Sequence, residues 1–547
     1  MKLRGRSIQL AVLAFAVIAA AGCSAQPVKK ETGSELQASA STADKSAGKE
    51  ELILAVGGEP DTGFDPTTGW GRYGSPLFQS TLLKRNSEME IVSDLAASYE
   101  TSTNGLIWTV KLREDARFSD GEALTADDVV FTYETAKDSS SVVDLTNLDS
   151  VMAMDDYTVE LTLKQPQSTF VYVLATLGIV PEHAYGDNYA QNPVGSGPFK
   201  FVQWDKGQQL IVERNELYYG EKPSFSKLTF LFLEEDAAFA AAKAGTVDAA
   251  FVTPAFSTQQ IPGMKLESLQ SVDNRGIMFP YVPEEGRTTE EGYPIGNDVT
   301  ADISIRKAIN VGIDRDALVE GILEGEGTPA YSISDNLPWW NSDTVFEDGS
   351  IEQAKDILAE GGWEDSNGDG TVDKNGIEAE FTLIYSSGDS TRQSLAIAAA
   401  DMVKPLGIRI TVEGKSWDEI DKLMFSNAVL LGFGSNDPLE MYNVYSSQFA
   451  GMEYYNPGYY NNPQVDEYME AALAAADEDE AMELWKKAQW DGTTGLSTSG
   501  DAPWAWLVNL NHLYLVNEKL DIGEQQIHPH GHGWPITANI EEWEWKE

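Results

Sequence analysis

The chain has 547 residues, with 38 Lys and Arg against 87 Asp and Glu, which gives a formal net charge of −49 at pH 7. So large an excess of negative charge argues against nucleic acid and anionic lipid as binding partners. The length exceeds what one hydrophobic core can serve, so several domains are expected. The chain has 1 cysteine, so its fold cannot depend on internal disulfide bonds.

The amino terminus has the pattern of an export signal. Lys2, Arg4 and Arg6 precede an apolar run at 10–21 that is short for a membrane span. The run ends in Ala-Ala-Gly before Cys23, which resembles a bacterial lipoprotein signal. That resemblance implies removal of residues 1–22, a lipid on the Cys23 thiol and attachment to the outer face of the membrane. The alternative is ordinary signal cleavage with an incidental cysteine.

Residues 23–50 connect this signal to the rest of the chain. They lack apolar periodicity and are rich in Ser, Ala, Lys and Glu. Such a composition cannot bury a core, so we expect a flexible tether.

A strand, a turn and a capped helix are predicted next in chain order. Trp108, Val110 and Leu112 alternate with polar residues, which indicates a strand with one buried face. After a turn, Thr125 is placed as the N-cap of a helix, with Asp128 three residues further on as in a capping box.

Short β-like runs alternate with helical patterns along the rest of the chain, which indicates an α/β fold. The predicted strands include 52–56, 157–163 and 381–384. The predicted helices include 237–244, 303–324 and 465–475.

Residues 94–134, DLAASYETSTNGLIWTVKLREDARFSDGEALTADDVVFTYE, closely resemble the signature of a known protein family. The family is that of the peptide/nickel (family 5) extracellular solute-binding proteins of ABC transporters, of the oligopeptide/dipeptide-binding type. Further family-like motifs follow in the usual order, at 195–199, 241–248, 305–315, 361–363, 405–408 and 461–466.

The resemblance implies an α/β, two-lobed, periplasmic-binding-protein-like fold of class II, in the large three-subdomain form with a hinge. Lobe I would combine 51–88, 193–270 and 505–547, with a subdomain at 89–192, and lobe II would be 271–504. The implied function is not enzymatic. A lipid-anchored, monomeric receptor on the extracytoplasmic side would bind peptides between the lobes and deliver them to an ABC permease and its ATPases.

Two loops are the predicted contributors to the ligand cleft. In the first, Trp70 offers an apolar wall and Arg72 a charge for a carboxylate. The second runs along 431–442 and offers Phe433, Ser435, Asn436, Asp437 and Tyr442.

In peptide-binding relatives the second loop carries an aspartate that pairs with the α-ammonium group of the ligand. Here Asp437-Pro438 matches the family, but Gly434 or Ser435 stands where the upstream acid is expected. Recognition of a free peptide amino terminus is therefore in question. Arg275, just past the expected crossover between lobes, is a further candidate ligand contact.

Three histidines near the carboxyl terminus, His528, His530 and His532, are candidate metal ligands. Along a strand their side chains would stand about 6.5–7 Å apart, too far to share one metal unless Gly531 bends the chain. They favour the alternative that the receptor binds nickel or a nickel chelate. The other interpretation is a closing segment with buried or surface histidines.

A loop of calcium-binding type is the other candidate metal site, although no cofactor is required by the predicted function. Oxygen ligands occupy its positions 1, 3, 5, 7 and 9, with Gly370 at position 6: Asp365, Asn367, Asp369, Thr371 and Asp373. The acid expected at position 12 is missing, since Gly376 stands there. A tight turn between a helix and a strand is the alternative.

Two other functions are compatible with the sequence. A lipid-anchored extracellular hydrolase is one, although no catalytic motif of the H-E-x-x-H or G-x-S-x-G type is present. The other is a receptor that signals to a sensor protein instead of a permease.

Overall fold

The structure is a computed structural model that describes residues 49–60, 62–74, 76–139, 143–452, 454–531 and 533–546. The predicted signal at 1–22, the tether up to residue 48, Cys23 and His532 lie outside the described residues. Within the described residues, no helix combines the length and the apolar character that a membrane span requires.

A seven-stranded sheet organises the first part of the fold. Its strands are, in spatial order, Met264–Leu269, His512–Asn517, Ala249–Val252, Glu51–Ala55, Lys227–Leu231, Gln209–Arg214 and Phe199–Asp205. Glu51–Ala55 runs parallel to both of its neighbours. Leu52 and Leu54, two residues apart and so on the same face of this central strand, are both buried.

A four-stranded antiparallel sheet forms a subdomain beside it. Its strands are, in spatial order, Ala96–Thr101, Ile107–Leu112, Thr158–Leu163 and Leu148–Asp155. Trp108, Val110 and Leu112 are buried, which confirms the predicted alternation. The helix Ala126–Asp138 has Thr125 as its N-cap, and Asp128 Oδ2 accepts from Thr125 N at 2.9 Å, so the predicted cap is also confirmed.

A six-stranded sheet organises the remaining part. Its strands are, in spatial order, Gly327–Pro329, Trp504–Leu510, Asn274–Met278, Ala428–Leu431, Glu380–Ser386 and Arg409–Lys415. The last three of these run parallel to one another. Short two-stranded sheets pair Leu83–Arg85 with Ile91–Ser93, Asp373–Lys374 with Ile377–Glu378, and Leu520–Asp521 with Glu544–Trp545.

The other α-helices pack against these sheets or against one another. They are Phe170–Leu174, Glu235–Lys243, Pro254–Ser257, Ile303–Gly312, Arg315–Ile322, Ile351–Glu360, Ser390–Val403, Trp417–Leu423, Leu439–Tyr445, Pro463–Ala474 and Glu478–Gln489. Short 3₁₀ helices lie at Pro66–Thr68, Glu182–Ala184, Tyr189–Gln191, Ser342–Thr344, Lys404–Leu406, Ser447–Phe449 and Pro535–Glu542.

The helix predicted at 303–324 is two helices. Ile313 is extended and ends the first, and the Asp314 side chain caps the second by accepting from Ala317 N at 2.9 Å. Asp314 therefore satisfies one of the free N–H groups of a new helix start and marks the break.

The chain crosses between the two large sheets twice, after Leu269 and after Leu510. We call the part on the seven- and four-stranded sheets, residues 49–270 and 511–546, lobe I. The part on the six-stranded sheet, residues 271–510, is lobe II. The sequence placed the second crossover at 504/505, but Trp504–Leu510 pairs with Asn274–Met278 and so lies in lobe II.

Two arginines of the family-like motif at 305–315 hold lobe II together. Arg306 is 1% exposed and donates to the carbonyl oxygens of Thr300, Ala301, Asp501 and Ala502. Arg315 is 0% exposed, and it donates to Trp506 O at 2.7 Å and to Asp348 Oδ2 at 2.8 Å. These arginines thus serve as buried donors for backbone carbonyls.

Candidate ligand-binding site

A cavity of about 710 Å³ lies between the two lobes. Its walls include residues 56–58 and 253–254 of lobe I, and residues 386–389, 391–392 and 416–417 of lobe II. Each segment directly follows a strand that runs parallel to a neighbour in its sheet. Ligands of α/β proteins bind beyond the carboxyl ends of such strands, so this cavity is the leading candidate site.

Two arginine side chains of lobe II line the cavity. Arg392 is 6% exposed and Arg275 is 8% exposed. Asp389 Oδ2 lies 3.1 Å from Arg392 Nε, but outside hydrogen-bonding geometry, so Arg392 Nε and Nη1 lack a hydrogen-bond partner. Burial first, and the nearby Arg275 second, lower the pKa of Arg392 to about 10. An anionic group on the ligand would give Arg392 the hydrogen-bond acceptor that it lacks.

Acidic side chains stand on the opposite walls of the same cavity. Glu235 comes from lobe I and Asp389 from lobe II. Loss of hydration first, and Asp389 second, raise the pKa of Glu235. A cationic group between these carboxylates would relieve their repulsion. The cavity therefore suits a ligand that carries both charges.

A buried ionic cluster closes the cavity at the crossover between the lobes. Asp273 pairs with Arg275, and it also contacts His512 Nε2 at 3.4 Å and His530 Nδ1. Although burial alone would raise the pKa of Asp273, Arg275 and His530 hold it well below its usual range. Burial lowers the pKa of His530. These groups tie the two crossing segments together.

A second, smaller cavity of about 110 Å³ also lies between the lobes. It is lined by four of the predicted ligand contacts, Arg72 from lobe I and Ser435, Asn436 and Asp437 from lobe II. None of these residues lines the larger cavity.

The aromatic residues predicted for the cleft lie elsewhere. Trp70 is 7% exposed and packs edge-on against Phe64 and Trp534 in the core of lobe I, at centroid distances of 4.9 and 5.2 Å. Phe433 is half-buried and packs edge-on against Trp504 at 5.8 Å. Tyr442 is half-buried and packs against Phe449 at 5.5 Å. None of the three predicted aromatics lines either cavity.

Gly434 leaves no room for the acid that the resemblance expects there. It has φ +149°, and a Cβ would lie 2.3 Å from Val272 O. The carboxylate of Glu440 lies beside it instead, with Oε2 accepting from Gly434 N at 3.0 Å and Ser435 N at 2.9 Å. Burial raises the pKa of Glu440 to about 7.

The predicted histidines diverge in their contacts. His530 lines the larger cavity beside Asp273, whereas His528 is 0% exposed and its Nδ1 lies 3.2 Å from His512 Nδ1. Among the residues that the structure describes, no three His, Cys, Asp or Glu side chains are grouped to hold a metal ion. The metal site stays a prediction.

The calcium-type loop is held by its own hydrogen bonds. Asp365 accepts from Gly368 N at 2.7 Å and Gly370 N at 3.0 Å, and Asp373 Oδ2 accepts from Ser366 N at 3.1 Å. Asn367, Asp369 and Thr371 complete the turn through further contacts of the same kind. These bonds are those of a tight turn, and each carboxylate keeps further lone pairs that could ligate a cation. Calcium binding by this loop stays a prediction.

Sequence reasoning missed Arg392, Asp389 and Asp273. The strand predicted at 381–384 is followed by a polar, glycine-containing loop at 387–389, and Arg392 lies in the first turn of the helix after it. The same rule that selected Trp70 and Arg72, a loop after a strand, would therefore have selected Asp389 and pointed to its neighbour Arg392. No comparable local signal marks Asp273.

Comparisons with known proteins agree with this architecture. The family model "Bacterial extracellular solute-binding proteins, family 5 Middle" matches residues 90–453. Protein XP55 of Streptomyces lividans is 33% identical over 489 residues, covering 86% of this chain and 86% of the relative. The oligopeptide-binding protein AppA of Bacillus subtilis is 29% identical, covering 81% of this chain and 84% of the relative.

Two solved structures share the fold over most of the chain. NikZ from Campylobacter jejuni, in complex with Ni(L-His), has a TM-score of 0.76 at 26% identity and covers 91% of this chain and 99% of that one. AppA from Bacillus subtilis, in complex with a nonapeptide, has a TM-score of 0.72 at 25% identity, with the same coverage. These neighbours confirm the predicted two-lobed, class II periplasmic-binding-protein-like fold. The chain belongs to family 5 of the bacterial extracellular solute-binding proteins.

Proposed function

We propose that the chain is the lipid-anchored, extracytoplasmic receptor of an ABC importer, and that it binds short peptides in the 710 Å³ cavity between its lobes. The open and closed arrangements interconvert about the two crossing segments, and the ligand stabilises the closed one because only there do both lobes contact it. The closed receptor then docks on a permease, whose ATPases drive uptake.

The observation that carries this proposal is the pair Arg275 and Arg392 on one wall of that cavity. Arg275 Nε and Arg392 Nε and Nη1 are buried without a hydrogen-bond partner. A change of side-chain rotamer would let Arg392, which lines the cavity, donate charge-assisted hydrogen bonds to the carboxylate at the carboxyl end of a peptide. Glu235 and Asp389 offer the complementary environment for an ammonium group. A peptide carries both groups.

The relatives support a peptide ligand. AppA, which is similar over most of this chain, is named an oligopeptide-binding protein and has been solved with a nonapeptide. In this chain, the hydroxyl and backbone groups of 386–388 line the cavity and can bind peptide backbone without selecting side chains.

A nickel chelate is the second candidate ligand. NikZ, also similar over most of the chain, was solved with Ni(L-His). Histidine carries the same carboxylate as a peptide, and His512 and His530 line the cavity beside Arg275. The lipid on Cys23 and the permease are likewise proposals, based on the signal-like sequence and on the family.

Calorimetric titration of the purified chain, stripped of metal, distinguishes the ligands. A mixed pool of di- to hexapeptides is titrated first, and then nickel with and without histidine. Heat of binding with peptides supports the peptide receptor. Heat of binding only with nickel and histidine together overturns the peptide ligand and supports the nickel chelate. Mass spectrometry of the recovered peptides tests the hydrolase alternative, which requires that they be cleaved.

A further inference from the structure

The carboxyl end of the lobe II helix Pro463–Ala474 has few hydrogen-bond donors of its own. The last carbonyl groups of a helix lack partners within the helix, and a glycine turn or a basic side chain commonly supplies them. Here the helix runs into alanines at 474–476, and its last turn carries no basic residue. Ala475 N donates to Ala472 O, but at 3.4 Å. These carbonyl groups are therefore open to a donor from elsewhere in the chain.

Ser168 of lobe I supplies that donor. Its backbone N donates to Leu473 O at 2.8 Å, and its Oγ donates to Ala472 O, also at 2.8 Å. Both donors belong to one residue, and both acceptors belong to the last turn of one helix. Ser168 thus caps, from one lobe, a helix of the other lobe.

The loop that carries Ser168 is held in place by hydrogen bonds within lobe I. Asn147 Nδ2 donates to Gln165 O and to Gln167 Oε1, both at 2.9 Å. Asn147 Oδ1 accepts from Gln165 N at 3.0 Å. A loop that already has its docked conformation loses less conformational entropy when it docks. The loop is therefore prepared to bind the helix end.

The Ser168 contact lies apart from the two chain crossings between the lobes. A cavity of about 310 Å³ beside it is lined by Ser168 and by residues of both lobes. In the described part of the chain, neither crossing, at 270–271 or 510–511, contributes to the walls of that cavity. Tyr172, four residues after Ser168, packs its ring 6.3 Å from that of Trp339 in lobe II. A rotation that opens the lobes about the crossings would therefore separate Ser168 from the helix.

We propose that Ser168 is a closure contact, which stabilises the closed arrangement by capping the helix Pro463–Ala474 across the lobes. When the lobes separate, its two donors and their acceptors return to water, and closing restores the two hydrogen bonds. Ser168 does not line the larger cavity, so it is a positioning residue that raises ligand affinity without touching the ligand. The apparent dissociation constant is the intrinsic one divided by the closed fraction. This effect on affinity rests on the proposed function, but the closure contact itself does not.

Small-angle scattering of the ligand-free full chain tests the closure contact directly. Ser168→Asp places a carboxylate, which only accepts hydrogen bonds, against two carbonyl oxygens, so this variant should be more expanded than the wild type. Ser168→Asn has nearly the size of Ser168→Asp but keeps an N–H donor, so it should stay close to the wild type. The control is Ser226→Ala, because Ser226 Oγ donates to Glu50 O at 3.2 Å within lobe I. It should scatter like the wild type.

Peptide affinity is the second measurement. It should fall about tenfold in Ser168→Asp and stay within about twofold of the wild type in Ser168→Asn. Scattering of Ser168→Asp that matches the wild type, or equal expansion of Ser168→Asp and Ser168→Asn, overturns the closure contact. Expansion of Ser168→Asp alone, with no peptide bound by any of the chains, supports the closure contact and overturns only the peptide ligand.

Discussion

Arg392 and Arg275 line the same wall of the larger cavity, and the positive charge of Arg275 acts on the guanidinium group of Arg392. Burial and this like charge together lower the pKa of Arg392 to about 10. Asp273 compensates Arg275, whereas the nearest carboxylate to Arg392, that of Asp389, stands outside hydrogen-bonding geometry. An anion that reaches Arg392 would supply the missing partner.

The first prediction concerns Arg392. Arg392→Gln should weaken the binding of peptides with a free carboxyl end by about 10- to 100-fold, since a hydrogen bond to a charged group contributes about 1.5–3 kcal/mol. Amidated peptides should bind the variant and the wild type alike, because they lack the anion. Calorimetry with matched free and amidated peptides measures both.

Arg214→Gln is the control for this experiment, since its ion pair lies in lobe I away from the cavity walls. It should leave both affinities unchanged. If Arg392→Gln weakened free and amidated peptides equally, the carboxylate would not be the group that Arg392 recognises.

The second prediction concerns a buried acid of lobe II that has no part in the cavity. Asp335 is 6% exposed, its Oδ1 lacks a partner, and burial raises its pKa to about 6. Its protonated form is therefore favoured by folding. This contribution to the free energy of unfolding is fully present below pH 3.8 and is lost as pH rises through about 6. A pKa shift of this size corresponds to about 3 kcal/mol of unfolding free energy.

Asp335→Asn removes this titration. The free energy of unfolding in urea should be measured for both chains between pH 4 and 8. As pH rises, that of the variant should increase relative to the wild type by up to about 3 kcal/mol. A difference that stays constant over this range would show that Asp335 does not titrate as its burial requires.

The third prediction concerns the glycine motif at 195–199. A Cβ at Gly195 would lie 2.0 Å from Phe78 O, whereas one at Gly186 would meet nothing within 4 Å. Gly195→Ala should lower the unfolding free energy by about 1–3 kcal/mol because the backbone must move. Gly186→Ala should stay within about 0.5 kcal/mol of the wild type. Equal thermal unfolding midpoints for Gly195→Ala and Gly186→Ala would contradict this steric role of Gly195.

Local elements could be predicted from sequence because their causes are local. The alternation around Trp108 and the cap at Thr125 depend only on neighbours within a few residues. The position of Trp70 depends instead on Trp534, its ring partner at 5.2 Å. The indole of Trp70 follows a strand in a glycine-rich loop, where it could equally have lined a cleft. Nothing nearby in the sequence distinguishes a core position from a cleft position.

The ionic cluster at the crossover could not be predicted for the same reason. Asp273 and His530 are 257 positions apart. They meet only because the carboxyl-terminal segment lies beside the first crossing, where Val272 N donates to His528 O at 2.9 Å. The histidine motif suggested metal ligation, since imidazoles in a short run are commonly ligands. In the described part of the chain, His530 and His512 share a carboxylate instead.

The last prediction tests that cluster. Asp273→Asn leaves Arg275 buried without its carboxylate, which should lower the unfolding free energy by about 3–5 kcal/mol at pH 7. The pKa of Asp273 lies well below its usual value of 3.8, so its contribution is present above that pH and is lost only as pH falls further. The deficit of Asp273→Asn should therefore be constant from about pH 7 to 8 in urea unfolding, unlike the effect of Asp335→Asn. It should grow at lower pH, because Asp273 raises the pKa of His530 and its removal makes protonation of this histidine less favourable in the folded state. A deficit below about 1 kcal/mol would mean that the histidines and solvent compensate Arg275 without the carboxylate.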